Sequence, residues 1–575
     1  MNTILLAAAT AVLYLIAYNT YGKFLAGKIF SLNKGAKTPA VKLEDNVDYV
    51  PTSKEILFGH HFTSIAGAGP IVGPALAIIW GWVPAMIWIV LGSIFMGAVH
   101  DFGSVVVSMR NDGKTIGEVA SDLISPRVRT MFLSIISLAL LIVIAIFCLV
   151  IAVLFQMYPE SVIPIWVEIP IAVWLGQIIR SGKRNAFGFS LIALAMLYIA
   201  VIAGAYFPIT MPEFMGISPI VLWSVILLAY AYVASIIPVW RLLQPRDYIN
   251  GHELFVAMGL LTLGLLFSNP EMAAPAYNPS PEGAPSMFPF LFIVLACGAV
   301  SGFHSLVGSG TTSKQLSNEQ HAKSIGYGSM LMEGMLATFA IIAVGAGIGL
   351  AADGDMTASA IWNSHYSSWG AAQTLGAKVG IFVEGSANML EAIGISHSIG
   401  ITIMGVFVVS FAGTTLDSAT RLQRYAISEL TTGLNLKFLS GKHAATALAV
   451  FTAGLLALHD GSGKGGLILW PLFGAINQLL ASLALLVITV YLARQKKPIV
   501  YTIIPFFFMF AVTGWSMYEN IMTYIKKEQT LLLVIGIIIV ILEIWMIIEA
   551  TIALNKSKKL SKSDDLNDDI EPASA

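Results

Sequence analysis

A few ionisable residues stand where this sequence is otherwise apolar, and their types define the chemistry open to it. His60 and His61 lie in GHHFTSIAGAGPIVGPALAIIW (59–80), and His100 and Asp101 lie in VHDFGSVVVSMR. His304 lies in SGFHSLVGSGTTSKQ (301–315), Glu333 in the apolar run 325–351, and Asp417 in FAGTTLDSATRLQRY. An ionisable group at membrane depth is costly, and its default reading is functional. Imidazole beside carboxylate can carry a proton or bind a cation. His60, His61, His100, Asp101, Glu333 and Asp417 are therefore the candidates for ion or proton coupling. The plain alternative for each is an interfacial residue, or one reaching the interface along its stem.

A second group is cationic. WRLLQPRDYINGHEL (240–254) packs Arg241, Arg246, Asp247, His252 and Glu253 beside a span end. A guanidinium fork suits carboxylate binding, but a structural ion network or gate is the favoured reading. Asp417 and Arg421 are i,i+4 neighbours on a helix and also read as structural. Asn477 and Gln478 sit mid-span after LWPLFGA, where buried amides join helices. Glu384, Glu391 and His397 flank an irregular region and suit a gate or ion route.

These groups need positioning, and two unusual segments supply it. Gly67, Gly69, Pro70, Gly73 and Pro74 interrupt the apolar segment 59–80. Lipid offers a freed backbone no hydrogen bonds, so such breaks survive only against protein or a watery cavity. Paired broken helices point to a transporter's binding site. Ser305-Leu-Val-Gly-Ser-Gly echoes Ser64-Ile-Ala-Gly-Ala-Gly. The predicted substrate-binding residues are Ser64, Gly67, Ala68 and Gly69, with His304, Ser305, Gly308, Ser309, Gly310 and Thr311. Unwound N–H groups at both glycine pairs would hold a carboxylate. Close helix packing through small residues is the structural alternative.

Composition frames these segments. The chain of 575 residues is 57% hydrophobic and 11% charged, with a net charge of −1 and mean hydropathy +0.79. This excludes an ordinary soluble protein and gives no argument for nucleic-acid binding. The lipid bilayer and a small carboxylate or peptide substrate are the expected partners; oligomeric state is not legible. Cys148 and Cys297 read as small core residues. The N-terminus reads as a retained span, not a signal peptide.

Fifteen helical spans are predicted: 3–20, 62–80, 82–107, 131–157, 162–180, 186–206, 217–238, 253–268, 288–310, 325–351, 398–414, 443–458, 467–493, 500–521 and 530–555. Residues 375–396 add a re-entrant half-helix or a sixteenth span. Loops 21–58, 108–130, 180–185, 239–252, 311–324 and 415–442 are basic. Those at 158–161, 207–216, 269–287 and 352–374 hold no Lys or Arg. The alternation puts the N-terminus outside and the C-terminus in the cytoplasm, with Lys526 and Lys527 as the misfit. It also runs the two interrupted segments in opposite directions, as an inverted repeat requires. The expected division is a transport region, 1–375, a C-terminal membrane region, 376–555, and a disordered cytoplasmic tail, 556–575.

No nucleotide, C-x-x-C or H-E-x-x-H motif is present in suitable context, so coupling to an ion gradient, with protons as the expected ion, is the economical inference. No cofactor is required and no metal site is expected. A haem or metal protein using His60, His61, His100 and His304 stays open as a second class. So does an accessory haem or metal on those histidines.

At this point the chain resembles a known family. The motifs are GHHFTSIAGAGPIVGPALAIIWGW, VHDFGSVVVSMRNDGKTIGEVA, LLQPRDYING, SGFHSLVGSGTTSKQL, IGYGSMLMEG, FAGTTLDSATRLQRY and LWPLFGAINQLLA. Together they resemble the carbon starvation protein A (CstA) family, in order across residues 40 to 485. The resemblance implies an all-α polytopic transporter of the cytoplasmic membrane, related to the amino acid–polyamine–organocation superfamily. It implies about 15 to 18 transmembrane helices around an inverted-repeat, LeuT-like core with broken helices. It also implies uptake of peptides or of pyruvate, with protons, under nutrient limitation. It assigns no binding residues, so the candidates above rest on their chemistry.

Overall fold

The computed structural model describes residues 2–181, 186–352, 356–372, 376–459 and 469–568. Outside them lie 182–185 of one basic loop, 353–355 and 373–374 of a loop without Lys or Arg, and residue 375. The first two residues of the predicted span 467–493 and the last seven of the tail, 569–575, also lie outside.

In hydrocarbon every backbone polar group needs an internal partner, so a chain this apolar spans as helices. The described residues form helices and three isolated β-bridges. In chain order the elements are α1 (Thr3–Ile29), α2 (Lys54–Ala66), α3 (Gly69–Ala77), α4 (Trp82–Arg110), α5 (Pro126–Met157) and α6 (Pro159–Arg180). Then come α7 (Ala186–Tyr206), α8 (Pro219–Ile236), α9 (Leu243–Ser268), α10 (Met287–Val294) and α11 (Gly302–Gly310). They are followed by α12 (Glu319–Ala351), α13 (Ile381–Glu391), α14 (His397–Gly433) and α15 (Lys442–Leu458). The last are α16 (Trp470–Arg494), α17 (Val500–Lys526) and α18 (Thr530–Asp568).

Thirteen described helices are long and apolar enough to cross a membrane. The broken segment 287–310 and the shorter α15 complete the fifteen predicted crossings. This is an all-α polytopic membrane protein. The apolar window of 54–80 is 100% buried, against 28% for that of α1. The broken helices therefore lie at the centre, and α1 lies at the rim facing lipid.

Helix α9 starts at Leu243 rather than at 253, so Arg246, Asp247 and His252 of the predicted loop 239–252 lie in the helix, and four further boundaries differ from the sequence reading. First, α2 starts at Lys54, capped by the Ser53 hydroxyl, so its break falls mid-span rather than near the start. Second, α14 continues to Gly433 instead of ending at 414. Its polar residues read as a loop in sequence, but partners inside the bundle engage several of them. Third, α13, with the π-helical turn Gly376–Gly380 that leads into it, falls short of the about 20 residues of a span. It packs at Gly385 against the Ala343 carbonyl of α12 and leads at once into α14, so it is re-entrant and not a sixteenth span. Fourth, α18 runs on to Asp568, so the tail expected to be disordered from 556 is helical that far. No glycine or proline stands between 530 and 568 to stop it except Gly536.

Five of the basic loops meet on one face. The Val50 N–H donates to the Lys314 carbonyl (3.3 Å), and the Val239 N–H donates to the Val47 carbonyl (3.4 Å). Arg110 donates to the Phe30 carbonyl (2.7 Å), Tyr49 to the Asp112 carbonyl (3.1 Å), and Arg421 pairs with Asp48 (3.3 Å). On the opposite face the Trp82 N–H donates to the Pro275 carbonyl (3.1 Å). The N-terminal Thr3 joins that face through the Pro270 carbonyl (2.7 Å). Near the other end of the chain, Glu549 reaches Ser125 on the basic side (3.2 Å).

Candidate functional site

The first break is made by backbone conformation. α2 stops at Ala66, and Gly67 adopts φ +48°, ψ −153°, which a side chain rarely permits. The Ala68 carbonyl accepts from the N–H groups of Ile71 and Val72 (3.2 and 3.0 Å). Pro70 falls in the first turn of α3, where a missing N–H does no harm. A Cβ on Gly67 would stand 2.4 Å from Thr415 Oγ1 of α14, and one on Gly69 2.3 Å from Cys297 Cβ.

The second break is held by a distant side chain. A single turn, Ala296–Ala299, follows α10; Val300 and Ser301 are extended (φ −154°, ψ 117° and φ −125°, ψ 127°). Asn477 of α16 accepts from the Phe303 N–H (2.9 Å) and donates to the Ser301 hydroxyl (3.0 Å). Its neighbour Gln478 donates to the Phe292 carbonyl (2.5 Å). The Asn-Gln pair joins helices by satisfying backbone that the break sets free.

The two breaks face each other. Gly69 opposes Cys297 and Gly73 opposes the Val294 carbonyl, so the segments run antiparallel. Between them lies a narrow cavity lined by Gly67, Gly69, Phe147, Cys297, Ser301 and Thr415. As it stands it has room for little more than one water.

Beside the second break lies a buried chain of ionisable groups. His304, in the first turn of α11, puts Nδ1 2.8 Å from Asp101 Oδ2, and His100 Nδ1 is 2.7 Å from Asp101 Oδ1. On its other side His304 Nε2 is 3.3 Å from Glu333 of α12. All four side chains are fully buried, and both Glu333 oxygens, His100 Nε2 and His304 Nε2 have no hydrogen-bond partner. Three scattered sequence candidates and His304 thus form one buried cluster, in which the His304–Glu333 contact is not a hydrogen bond.

A second network surrounds α2. His60 Nδ1 is 2.5 Å from Asp247 Oδ2, and Ser64 donates to the same oxygen (3.3 Å). Gln315 closes on His60 Nε2 (3.2 Å), while His61 Nδ1 pairs with the Thr312 hydroxyl (2.8 Å). Next to Asp247, Arg246 reaches Asp417 (2.5 Å), Glu168 (3.3 Å) and the Tyr230 hydroxyl (2.9 Å). Arg421 does not pair with Asp417; it turns to Asp48 and to the carbonyls of Ala234 and Ile237. The i,i+4 pairing fails because Arg246 already holds Asp417 from across the bundle.

At the basic face, burial would raise the Asp48 carboxyl. The nearby Arg421 guanidinium, the Tyr425 hydroxyl and the cations of Lys314 and Arg424 outweigh it, and Asp48 lies below its ordinary value. Burial pulls Lys314 down, partly opposed by Asp48.

Gly308 and Gly310 do not unwind the chain as expected. Both lie in α11, where they let it approach Val105 of α4 and Leu422 of α14. Ser305 and Thr311 donate to carbonyls of their own helix (2.7 and 3.0 Å). Ser309 does likewise and also accepts from the Ile116 N–H (3.1 Å). Arg241 is exposed and outside the network. His397 meets Glu384 (3.1 Å) and Glu391 (3.8 Å) at the surface. Sequence reasoning missed Glu168, Thr415, Asp48 and Gln315. Glu168, a carboxylate inside IWVEIPIAVW, carried the signal of an intramembrane charge. Among the described residues no three His, Cys, Asp or Glu are arranged to hold a metal ion.

The family described as carbon starvation protein CstA matches residues 2–516. A protein of Campylobacter jejuni named peptide transporter CstA is 34% identical, over 91% of this chain and 81% of its own length. The Escherichia coli protein of the same name is 35% identical, over 86% and 78%. Another Escherichia coli protein, named pyruvate/proton symporter BtsT, is 32% identical, over 90% and 81%.

Proposed function

Because the chain belongs to the carbon starvation protein CstA family, we propose that it is a secondary transporter that imports short peptides across the cytoplasmic membrane, driven by protons. Peptide transport follows from the names of its relatives. Import during carbon starvation and proton coupling go further and are this reading's own. The observation that carries it is the pair of antiparallel breaks around one cavity, beside the cluster of His100, Asp101, His304 and Glu333. Open backbone near mid-membrane suits a substrate's carboxylate and amide groups. The cluster offers ionisable groups that exchange a proton as the cavity hydrates. The basic face is cytoplasmic by the positive-inside rule, with the N-terminus outside and the C-terminus inside.

The reading needs no cofactor. His60 has both ring nitrogens engaged by protein groups. Pyruvate–proton symport is the second reading, favoured by the 32% identical relative that carries that name.

Uptake into proteoliposomes of labelled di- and tripeptides against labelled pyruvate separates the two. Peptide accumulation that needs an imposed proton gradient is expected. Accumulation of pyruvate alone would replace the first reading with the second. Uptake indifferent to the gradient would overturn the coupling.

A further inference from the structure

Glu253 and Glu543 are buried carboxylates outside the networks described above, and Glu253 lies on the helix that holds the first broken segment. Glu253 lies inside the span α9, is 3% exposed, and has Oε2 without a hydrogen-bond partner. Among the described residues no Lys, Arg or His lies within ion-pair distance of it. A lone carboxylate at this depth is costly, whereas a carboxylic acid is not.

Glu253 ends an ordered ladder. On α9, Arg246, Asn250 and Glu253 share one face by their i, i+4, i+7 spacing. On antiparallel α14, Asp417, Thr414 and Ser410 answer in reverse order. Arg246 binds Asp417 (2.5 Å), Asn250 donates to the Thr414 hydroxyl (3.1 Å), and Glu253 faces Ser410. The ladder starts near the basic face and reaches about 10 Å inward by helical rise. Orphan acceptors follow it: Asp417 Oδ1, Asn250 Oδ1 and Glu253 Oε2. The same helix also grips the first broken segment. Asp247 points the other way to His60 of α2, and Gly251 and Gly59 bring the two backbones nearly into contact.

We propose that Glu253 is a second proton-binding site of the transport cycle, served from the basic face by the Arg246–Asp417 and Asn250–Thr414 rungs. This rests on the proton-coupled reading above. With the ladder closed, Glu253 holds the proton as a neutral acid. When the Arg246–Asp417 rung opens, water enters, the carboxyl releases its proton to that water, and freed Arg246 offers the carboxylate a counter-charge. Because α9 holds α2 through Asp247–His60, the change at Glu253 is felt at the Gly67 break.

The groups around Glu253 are few. Glu168 of α6 and Tyr198 of α7 face it, with Arg246 from its own helix and Ser410 from α14. Asp417 lies two rungs away, His60 is turned to Asp247, His252 is turned to the Tyr248 carbonyl, and Glu384 and Glu391 meet His397 at the surface.

The test compares two assays in proteoliposomes: accumulation of a labelled dipeptide driven by a proton gradient, and exchange of that dipeptide at equal pH on both sides. Glu253→Gln fixes the neutral form. It is expected to lose gradient-driven accumulation and keep exchange. Wild-type accumulation by this variant overturns the proposal, as does equal loss of both activities. Should Glu253→Gln not reach the membrane, Tyr198→Phe and Ser410→Ala carry the test. Each is expected to shift the pH of half-maximal accumulation, and an unchanged profile in both overturns the proposal. A wild-type protein indifferent to the gradient overturns the coupling itself; a responsive wild type with a responsive Glu253→Gln overturns this inference alone.

Discussion

The two broken helices meet at one cavity, yet they are broken by different means. The first depends on its own backbone: Gly67 sits at φ +48° with no room for a side chain. The second depends on a helix far along the chain, where Asn477 takes the groups freed at Ser301 and Phe303, 176 and 174 residues away. A break built into local conformation persists when its neighbours move. A break held by a borrowed side chain can close or shift when α16 does. We therefore expect 54–80 to be the rigid partner and 287–310 the adjustable one.

The largest expected effect tests the rigid half. Gly67→Ala places a Cβ against Thr415 and forces a left-handed conformation, which costs about 1–3 kcal/mol for the backbone alone. Loss of uptake with protein still in the membrane is the expected result, measured by transport and surface abundance together. Gly69→Leu, which collides with Cys297, should behave alike.

The adjustable half is tested next. Asn477→Ala strands the Phe303 N–H and the Ser301 hydroxyl, at about 1–3 kcal/mol for each buried group. Asn477→Asp keeps the acceptor. Thermal unfolding in detergent should rank wild type above Asp and Asp above Ala; equal stability of all three would remove Asn477 from the account.

A smaller effect is expected where the two segments share a clamp. Ser53 caps α2, and the Thr52 N–H donates to the Gln315 carbonyl just past α11 (3.0 Å). Asp48 fastens this strap to Arg421. Its folded carboxyl lies below the ordinary aspartate value, so the stability it lends is present above that value and lost as pH falls through the folded one. Asp48→Asn should therefore be less stable than wild type at neutral pH, and the gap should close in the acid range. Thermal unfolding across pH reads this directly.

The smallest contrast is between two serines that the sequence presents as equivalents. Ser64 donates to Asp247 and contacts Ser418, whereas Ser305 donates only within its own helix. Ser305→Ala should stay within about 1 kcal/mol of wild type and transport normally. Ser64→Ala should slow transport.

Much of this was legible. Gly67, Gly69 and Pro70 announced the first break because its cause is local. The sequence pattern points the second break to Gly308 and Gly310, since Ser-x-x-Gly-x-Gly records small residues and not their use. Here the glycines admit Val105 and Leu422. Its true position, Val300–Ser301, depends on Asn477, and no window around residue 300 contains that partner. His100, Asp101, His304 and Glu333 were each singled out by charge in apolar sequence, but only the fold joins them. Arg421 was matched to Asp417 by helical spacing, which a tertiary competitor, Arg246, overrode.

The claim that substrate binds between the two breaks has a natural reporter. The chain has two cysteines; Cys148 is buried and donates to the Ser224 carbonyl, while Cys297 lines the cavity opposite Gly69. In a Cys148→Ser background, the rate of Cys297 labelling by a membrane-permeant maleimide can be followed as a transported dipeptide is added. Labelling is expected to slow and to saturate over the concentration range that saturates transport. Labelling that continues unchanged at saturating dipeptide, while transport proceeds, would contradict it.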